Sequence, residues 1–246
     1  MKKKQALNAA KGDNFADYNK IWDEVYGDMQ QEGPTHRHMR RILESFLDKI
    51  NYNNVIDIGC GLGHNHDLLS KGKNNIEFSG IDISTRAIES VKTHHSGNFF
   101  HMDIQCDFPK EKKWDLVFSS MVLEHLSDDV SALKNMRKIT GKYVLIATIA
   151  GNYERYHKWE SLMGHVRNYK KGELEEKLIN ADFKNVQTVY WGFPFYTPCA
   201  RILQSFSKVG TGNFNIFTKF LAEMLNGLYY LNSFKKGDVL FAFAEV

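Results

Sequence analysis

Cysteine is scarce in this chain of 246 residues. The three present, Cys60, Cys106 and Cys199, are odd in number and show no metal-ligand spacing, which excludes a disulfide framework or a zinc ribbon and suits a reducing cytoplasm. No metal is expected. Long apolar runs are also lacking: the longest, such as residues 143–150, fall far short of the ~20 residues that cross a bilayer, so no membrane span is expected. Lys2-Lys3-Lys4 imitates the start of a secretion signal, but residues 5–11 put no apolar stretch behind it, and no signal is expected to be removed. Nor is there an excess of one charge. Thirty-two Lys and Arg against 29 Asp and Glu leave a formal charge of +3, with no basic stripe to follow a phosphate backbone, so a nucleic-acid partner is not expected. What is present, 43% hydrophobic and 25% charged residues, is ordinary for a globular protein. The length suits one α/β domain with a full core and some decoration.

The main positive signal is Val55-Ile56-Asp57-Ile58-Gly59-Cys60-Gly61-Leu62-Gly63, an apolar strand pattern that runs into three glycines at two-residue spacing and then into helical periodicity. Gly59 and Gly61 supply positive backbone dihedrals and bare main chain, so a ligand can come close at a strand-to-helix turn. About twenty residues on, Phe78-Ser79-Gly80-Ile81-Asp82-Ile83-Ser84 ends in a carboxylate, the residue type that grips two ribose hydroxyls at that place. Asn98-Phe99-Phe100-His101-Met102-Asp103-Ile104 ends in another. A fourth run, residues 114–126, passes from strand into helix through Ser119, Ser120, Glu124 and His125. A phosphate-binding P-loop needs Gly-Lys-Ser/Thr after its glycines, and this chain has Gly63-His64-Asn65. A dinucleotide site favours G-x-G-x-x-G, whereas the spacing here is G-x-G-x-G.

Strand and helix patterns alternate through a fifth strand at residues 143–147, which implies a parallel sheet with helices on both faces and ligands outside the carboxyl ends of the strands. Helices are expected from Thr35 to Ile50, behind Gly33-Pro34, and at residues 173–180, with Ser84 and Ser127 at two further helix starts. Strands at 185–191 and 239–246 would close the sheet as an antiparallel pair.

On these motifs the chain resembles the class I S-adenosylmethionine-dependent methyltransferases, in the small-molecule branch called methyltransferase type 11, over roughly residues 36–192. The resemblance implies an α/β, Rossmann-like, seven-stranded, mostly parallel sheet. It implies that Asp57, Gly59, Cys60, Gly61 and Gly63 cradle the methionine part of the cofactor. Asp82 would hold the ribose with Ile83 against the adenine, Asp103 and Ile104 would face the adenine amino group, Ser119 and Ser120 would lie beside the cofactor, and Glu124 and His125 near the transferred methyl. It also implies an N-terminal helical lid at 1–35 whose aromatic stripe, including Tyr18 and Trp22, closes over the cofactor. The same stripe fits plain packing onto the core. Ile149 and Asp182 depart from the family, where Pro and Gly are usual.

The acceptor side is expected on two segments. The long connection 150–169, read as a loop, carries Tyr156, His165, Arg167 and Tyr169 in a G-H-V-R-x-Y stretch that the resemblance places toward the acceptor. Residues 193–236 are expected to form a helical insertion that caps the acceptor site before the last strand, 237–246. Residues 191–236 hold eleven of the chain's 32 aromatics, with Trp191, Phe195 and Tyr196 expected at the mouth of an acceptor pocket. Those aromatics equally suit the insertion's own small core, a homodimer interface or, less well, a membrane surface. His165, then His125, are the candidate bases for in-line methyl transfer to a hydroxyl, although a histidine at a helix start also serves plain backbone hydrogen bonding. Arg167 suits an anionic group on the acceptor or pairing with an acid such as Glu160. The expected activity is O-methylation of a small biosynthetic hydroxyl or carboxyl acceptor. N- or C-methylation, and an inactive cofactor-binding partner subunit, stand as alternatives.

Overall fold

The computed structural model describes residues 33–73, 75–110, 112–206 and 216–246; the expected lid residues Tyr18 and Trp22 lie outside them. The strands are β1 (Asn54–Ile58), β2 (Glu77–Asp82), β3 (Asn98–His101), β4 (Trp114–Ser120), β5 (Thr140–Ile149), β6 (Lys184–Trp191) and β7 (Val239–Glu245). They form one sheet in the order β3-β2-β1-β4-β5-β7-β6. Pairs from β3 through β5 are parallel, and β7 lies antiparallel between β5 and β6. The closing element is therefore a single reversed strand wedged between two strands of common direction, with Val239 opposite both Ile149 and Trp191.

Near-continuous apolar runs suit a sheet buried on both faces, because alternate side chains enter opposite cores. Ile56, Val117, Val144 and Leu240 pack on one side with Leu133, Met136, Leu174 and Leu178. Val55, Leu116, Leu145 and Phe241 pack on the other with Leu43, Ile88 and Val91.

The helices are α1 (Pro34–Leu47), α2 (His66–Ser70), α3 (Thr85–His94), α4 (Asp129–Ile139), α5 (Tyr153–Leu162), α6 (Glu173–Asn180), α7 (Tyr196–Phe206) and α8 (Ile216–Tyr229). Helix α1 starts one residue before Thr35, because Pro34 fits the first helical position and Gly33 precedes it with no side-chain cap. It ends at Leu47 rather than Ile50. Ser84 caps α3 by accepting the Ala87 N–H at 3.1 Å. At α4 the cap is Asp128, which accepts the Ser131 N–H at 2.9 Å. Ser127 is occupied elsewhere, since its hydroxyl donates to Gln105 Oε1 at 3.0 Å. The segment read as a loop contains α5, started by Asn152 accepting the Arg155 N–H at 2.9 Å. Helix α8 packs on α1, where His38 Nε2 donates to the Asn226 carbonyl at 2.9 Å and Arg37 pairs with Glu223. Among the described residues no helix is long and apolar enough to cross a membrane.

Candidate active site

The carboxyl ends of β1, β2 and β4 open on a cavity of about 400 Å³. Its inner half is made largely of main chain. Gly59, Gly61 and Gly63 have φ of 74°, 51° and 85°, the left-handed region that glycine enters without strain. The turn is tied to the next strand: Gly59 and Cys60 donate N–H groups to the Ile81 carbonyl at 2.8 and 3.0 Å, and Gly61 donates to Asp82 Oδ2 at 2.9 Å. Asp82 Oδ1 accepts the Ser84 N–H at 2.8 Å. Burial pushes the Asp82 carboxyl up from its usual value, against the pull of these backbone donors.

Of the residues expected at the cofactor, Gly59, Cys60, Asp82, Ile83, Asp103, Ile104 and Ser120 line this half. Four others lie behind it. A Cβ on Gly63 would come within 2.6 Å of the His95 ring, so this glycine lets α3 pack close. Gly61 acts through its N–H on Asp82. The Ser119 hydroxyl is buried and donates to the Ile58 carbonyl at 3.3 Å. Asp57 is wholly buried, with Asn65 Nδ2 3.3 Å from one oxygen and, among the described residues, no hydrogen-bond partner on the other. Burial, reinforced by the nearby Asp82 charge and opposed by the Asn65 hydrogen bond, pushes it up to about 8.

The outer half is made of side chains from the turn after β4, from α5 and the loop that follows it, from α7 and from the residue before β7. His125 and His165 both line it, their rings edge to face at 4.8 Å between centroids. His165 Nδ1 lies 2.6 Å from Glu160 Oε2, while Glu160 Oε1 accepts from Arg201 Nη1 at 2.7 Å and Asn168 Nδ2 at 2.9 Å. Arg201 Nε also donates to Asp238 Oδ2 at 2.7 Å. Burial alone would raise the Glu160 carboxyl, but the hydrogen bonds from His165, Asn168 and Arg201 outweigh it and hold it at about 2. Burial, followed by the His165 charge, lowers His125 to about 3, so its ring is neutral, with Nδ1 3.1 Å from the Gly164 carbonyl.

Tyr196 also lines the cavity, and the other expected acceptor residues are placed elsewhere. Arg167 pairs with buried Asp129 and donates to the Leu126 and Ser127 carbonyls at 2.5 and 2.8 Å, pinning the loop after β4. Tyr169 is fully buried and donates to Asp129 Oδ2 at 2.6 Å. Tyr156 lies under the Arg201 guanidinium at 4.0 Å, outside the cavity lining. Trp191 is fully buried between His38 and Tyr196, at 5.2 and 5.4 Å. Phe195 packs against the α1 side of the core. Each is a large or charged group that finds a better partner in the core than in an open cavity.

Sequence reasoning missed Arg201, Asp238 and His36 as cavity residues and gave Glu160 no more than a pairing role. The five-residue interval between Glu160 and His165 was a usable signal. Arg201 and Asp238 had none, because only the folded chain brings them to Glu160.

The inner half suits a nucleoside-bearing cofactor without phosphates. Two carboxylates, Asp82 and Asp103, face the cavity for hydroxyl and amino groups, and Ile83, Met102 and Ile104 offer an apolar bed for a base. A Cβ on Gly59 would strike Val122 at 2.3 Å, so the floor there is bare main chain. This site on this sheet defines a class I methyltransferase. Residues 30–188 match the family described as a methyltransferase domain, and the chain belongs to it, as a class I S-adenosylmethionine-dependent methyltransferase domain.

Among curated proteins the chain is similar to two from Ilyobacter polytropus. Malonyl-[acyl-carrier protein] O-methyltransferase 1 is 28% identical over 134 residues, 51% of this chain and 49% of that protein. Malonyl-[acyl-carrier protein] O-methyltransferase 2 is 34% identical over 122 residues, 47% and 43% of the two chains. The chain thus spans about half the length of the curated relatives it matches. Among solved structures, the plantazolicin methyltransferase BpumL in complex with SAH is similar at a TM-score of 0.59 and 18% identity, over 99% of this chain and 94% of that one. A methyltransferase in complex with the Haloferax volcanii Trm112 activator has a TM-score of 0.61 at 16% identity, over 88% and 90%. At these identities the likeness is one of fold.

Proposed function

We propose that this chain methylates an oxygen of a small biosynthetic acceptor, and that His165 takes the proton when that acceptor is a hydroxyl. The observation that carries the reading is the 2.6 Å contact between His165 Nδ1 and Glu160 in the cavity wall. An ionised Glu160 accepts the Nδ1 proton, which fixes the tautomer and makes Nε2 the basic nitrogen. Arg201 and Asn168 hold the carboxylate in place, so the ring is aimed before any acceptor enters. S-adenosylmethionine, when bound, supplies an electrophilic methyl on a sulfonium. Asp82, Asp103 and the Gly59 turn position it, while α7, through Tyr196 and Arg201, helps to wall the acceptor end from water.

The two curated relatives, both named as O-methyltransferases of a malonyl-carrier protein, support oxygen as the methylated atom. They also bring a carboxyl acceptor into the reading, one that is already ionised near neutral pH and needs no base. The unpaired thiols of Cys60, Cys106 and Cys199 support residence in the cytoplasm.

The test is His165→Ala beside Glu160→Gln, with turnover read as homocysteine-nucleoside release over a panel of hydroxyl and carboxyl acceptors. With a hydroxyl acceptor, His165→Ala lowers kcat by about 10²-fold or more and leaves the S-adenosylhomocysteine melting shift intact. Unchanged turnover removes His165 from the chemistry.

A further inference from the structure

Where the outer half of the cavity meets β5, three side chains of matched chemistry converge. One ligand atom from each of Glu124, His125 and His165 lies within 4.8 Å of the others. Glu124 is wholly buried, its Oε2 accepting from the Thr148 hydroxyl at 2.8 Å and its Oε1 having no hydrogen-bond partner among the described residues. A buried carboxylate oxygen left unsatisfied is unfavourable, so its environment calls for a donor or a cation. The two rings are already oriented through their other nitrogen: His165 Nδ1 on the Glu160 carboxylate at 2.6 Å, and His125 Nδ1 on the Gly164 carbonyl at 3.1 Å. Metal-ligating histidines are held in this way, by a carboxylate or carbonyl on the nitrogen away from the ion. Glu160, which holds the His165 ring, pairs with the Arg201 guanidinium, as does Asp238.

We propose that Glu124, His125 and His165 form a binding site for one divalent transition-metal ion, ligated by Glu124 Oε1 and by Nε2 of each ring. Two imidazoles and a carboxylate suit Zn²⁺, Co²⁺ or Fe²⁺ and not Mg²⁺ or Ca²⁺, which take oxygen donors. Ligands about 2.1 Å from a tetrahedral ion lie about 3.4 Å from one another, so the three side chains close by roughly 1 Å around it. Three protein ligands leave a coordination position open. Both histidines line the cavity, and that position is available to an oxygen of the acceptor. His165 Nε2 carries either a proton or the ion, so the loaded protein would handle the acceptor oxygen through the metal and the metal-free protein through the imidazole. That consequence rests on the O-methylation reading; ion binding does not.

The experiment uses the full chain without a histidine tag, freed of metal with a chelator and titrated with Co²⁺ and Zn²⁺ by visible absorption and calorimetry, with Mg²⁺ for comparison. Expected are one Co²⁺ per chain at micromolar or tighter affinity, no heat with Mg²⁺, and weakening by about 10-fold in Glu124→Gln and about 100-fold in the His125→Ala/His165→Ala double variant. An unchanged S-adenosylhomocysteine melting shift shows those variants to be folded. Should a variant not fold, paramagnetic shifts of histidine ring protons in the Co²⁺-loaded unaltered chain locate the ion without substitution. No uptake at sub-millimolar Co²⁺, a double variant that binds as tightly as the unaltered chain, or shifts confined to other histidines would overturn the proposal. Turnover of the chelator-treated protein tests the proton-acceptor reading separately.

Discussion

The two halves of the cavity are built from different materials. The inner half is strand ends and main chain: Gly59, Cys60 and Gly61 tied to Ile81 and Asp82 by backbone donors. The outer half is a web of charged and aromatic side chains drawn from α5, α7, the 3₁₀ turn Leu123–His125 and the residue before β7. The first is set by the sheet and tolerates little change at a few positions. The second is set by pairwise contacts, so its members can be exchanged one at a time with graded effects.

The sharpest break of the inner half is Gly59→Val. A β-branched residue at φ 74°, with its Cβ 2.3 Å from Val122, should lower S-adenosylhomocysteine affinity by about 100-fold or more and abolish the ligand-induced rise in melting temperature. A normal rise would show the turn to be adaptable. In the outer half, Arg201→Met leaves Glu160 and Asp238 without their shared cation. Urea unfolding should show a loss of about 3 kcal/mol, with cofactor affinity retained; equal loss of both would mean that the halves are coupled.

Acid and base should separate the halves next. Glu160 is held at about 2, below its usual value of 4.5, so its contribution is present above pH 4.5 and disappears as pH falls toward 2. Asp57 is raised from 3.8 to about 8, so its contribution is complete below pH 3.8 and is lost as pH rises toward 8. Asp57→Asn should therefore raise the melting temperature of the ligand-free protein at pH 8 and change it little at pH 4. Glu160→Gln should flatten the acid limb instead. Identical pH profiles for the two variants would refute the assignment.

The smallest effect is expected at Arg167→Ala. Asp129 keeps Lys177 at 2.7 Å and the Tyr169 hydroxyl at 2.6 Å, so stability should fall by about 1 kcal/mol and acceptor KM should stay the same. A raised KM would return Arg167 to the acceptor.

Legibility in sequence follows the same division. The G-x-G-x-G turn and the carboxylates at Asp82 and Asp103 are read locally, because each sits where one strand ends and the next connection begins. The bounds of α6 were legible too, its glutamates falling in the first turn after Gly172. Tyr156, Arg167 and Tyr169 were read from their segment and its family resemblance, Trp191 and Phe195 from residue type, and neither says which partner a long side chain will find. Arg167 found Asp129, and Trp191 found His38 and Tyr196. Helix α5 was hidden because its polar face and aromatics look like a substrate loop until Asn152 is recognised as its cap.

The reversed strand β7 has an effect on how such a molecule can change over generations. Trp191 at the end of β6 and Val239 at the start of β7 are paired neighbours, so the connection between the two strands leaves and re-enters the sheet through adjacent doorposts. Lengthening a loop whose ends are pinned adds only about 0.6 kcal/mol per doubling. That segment, which contributes Tyr196 and Arg201 to the wall, can be recast or replaced as a cassette while the cofactor end stays as it is.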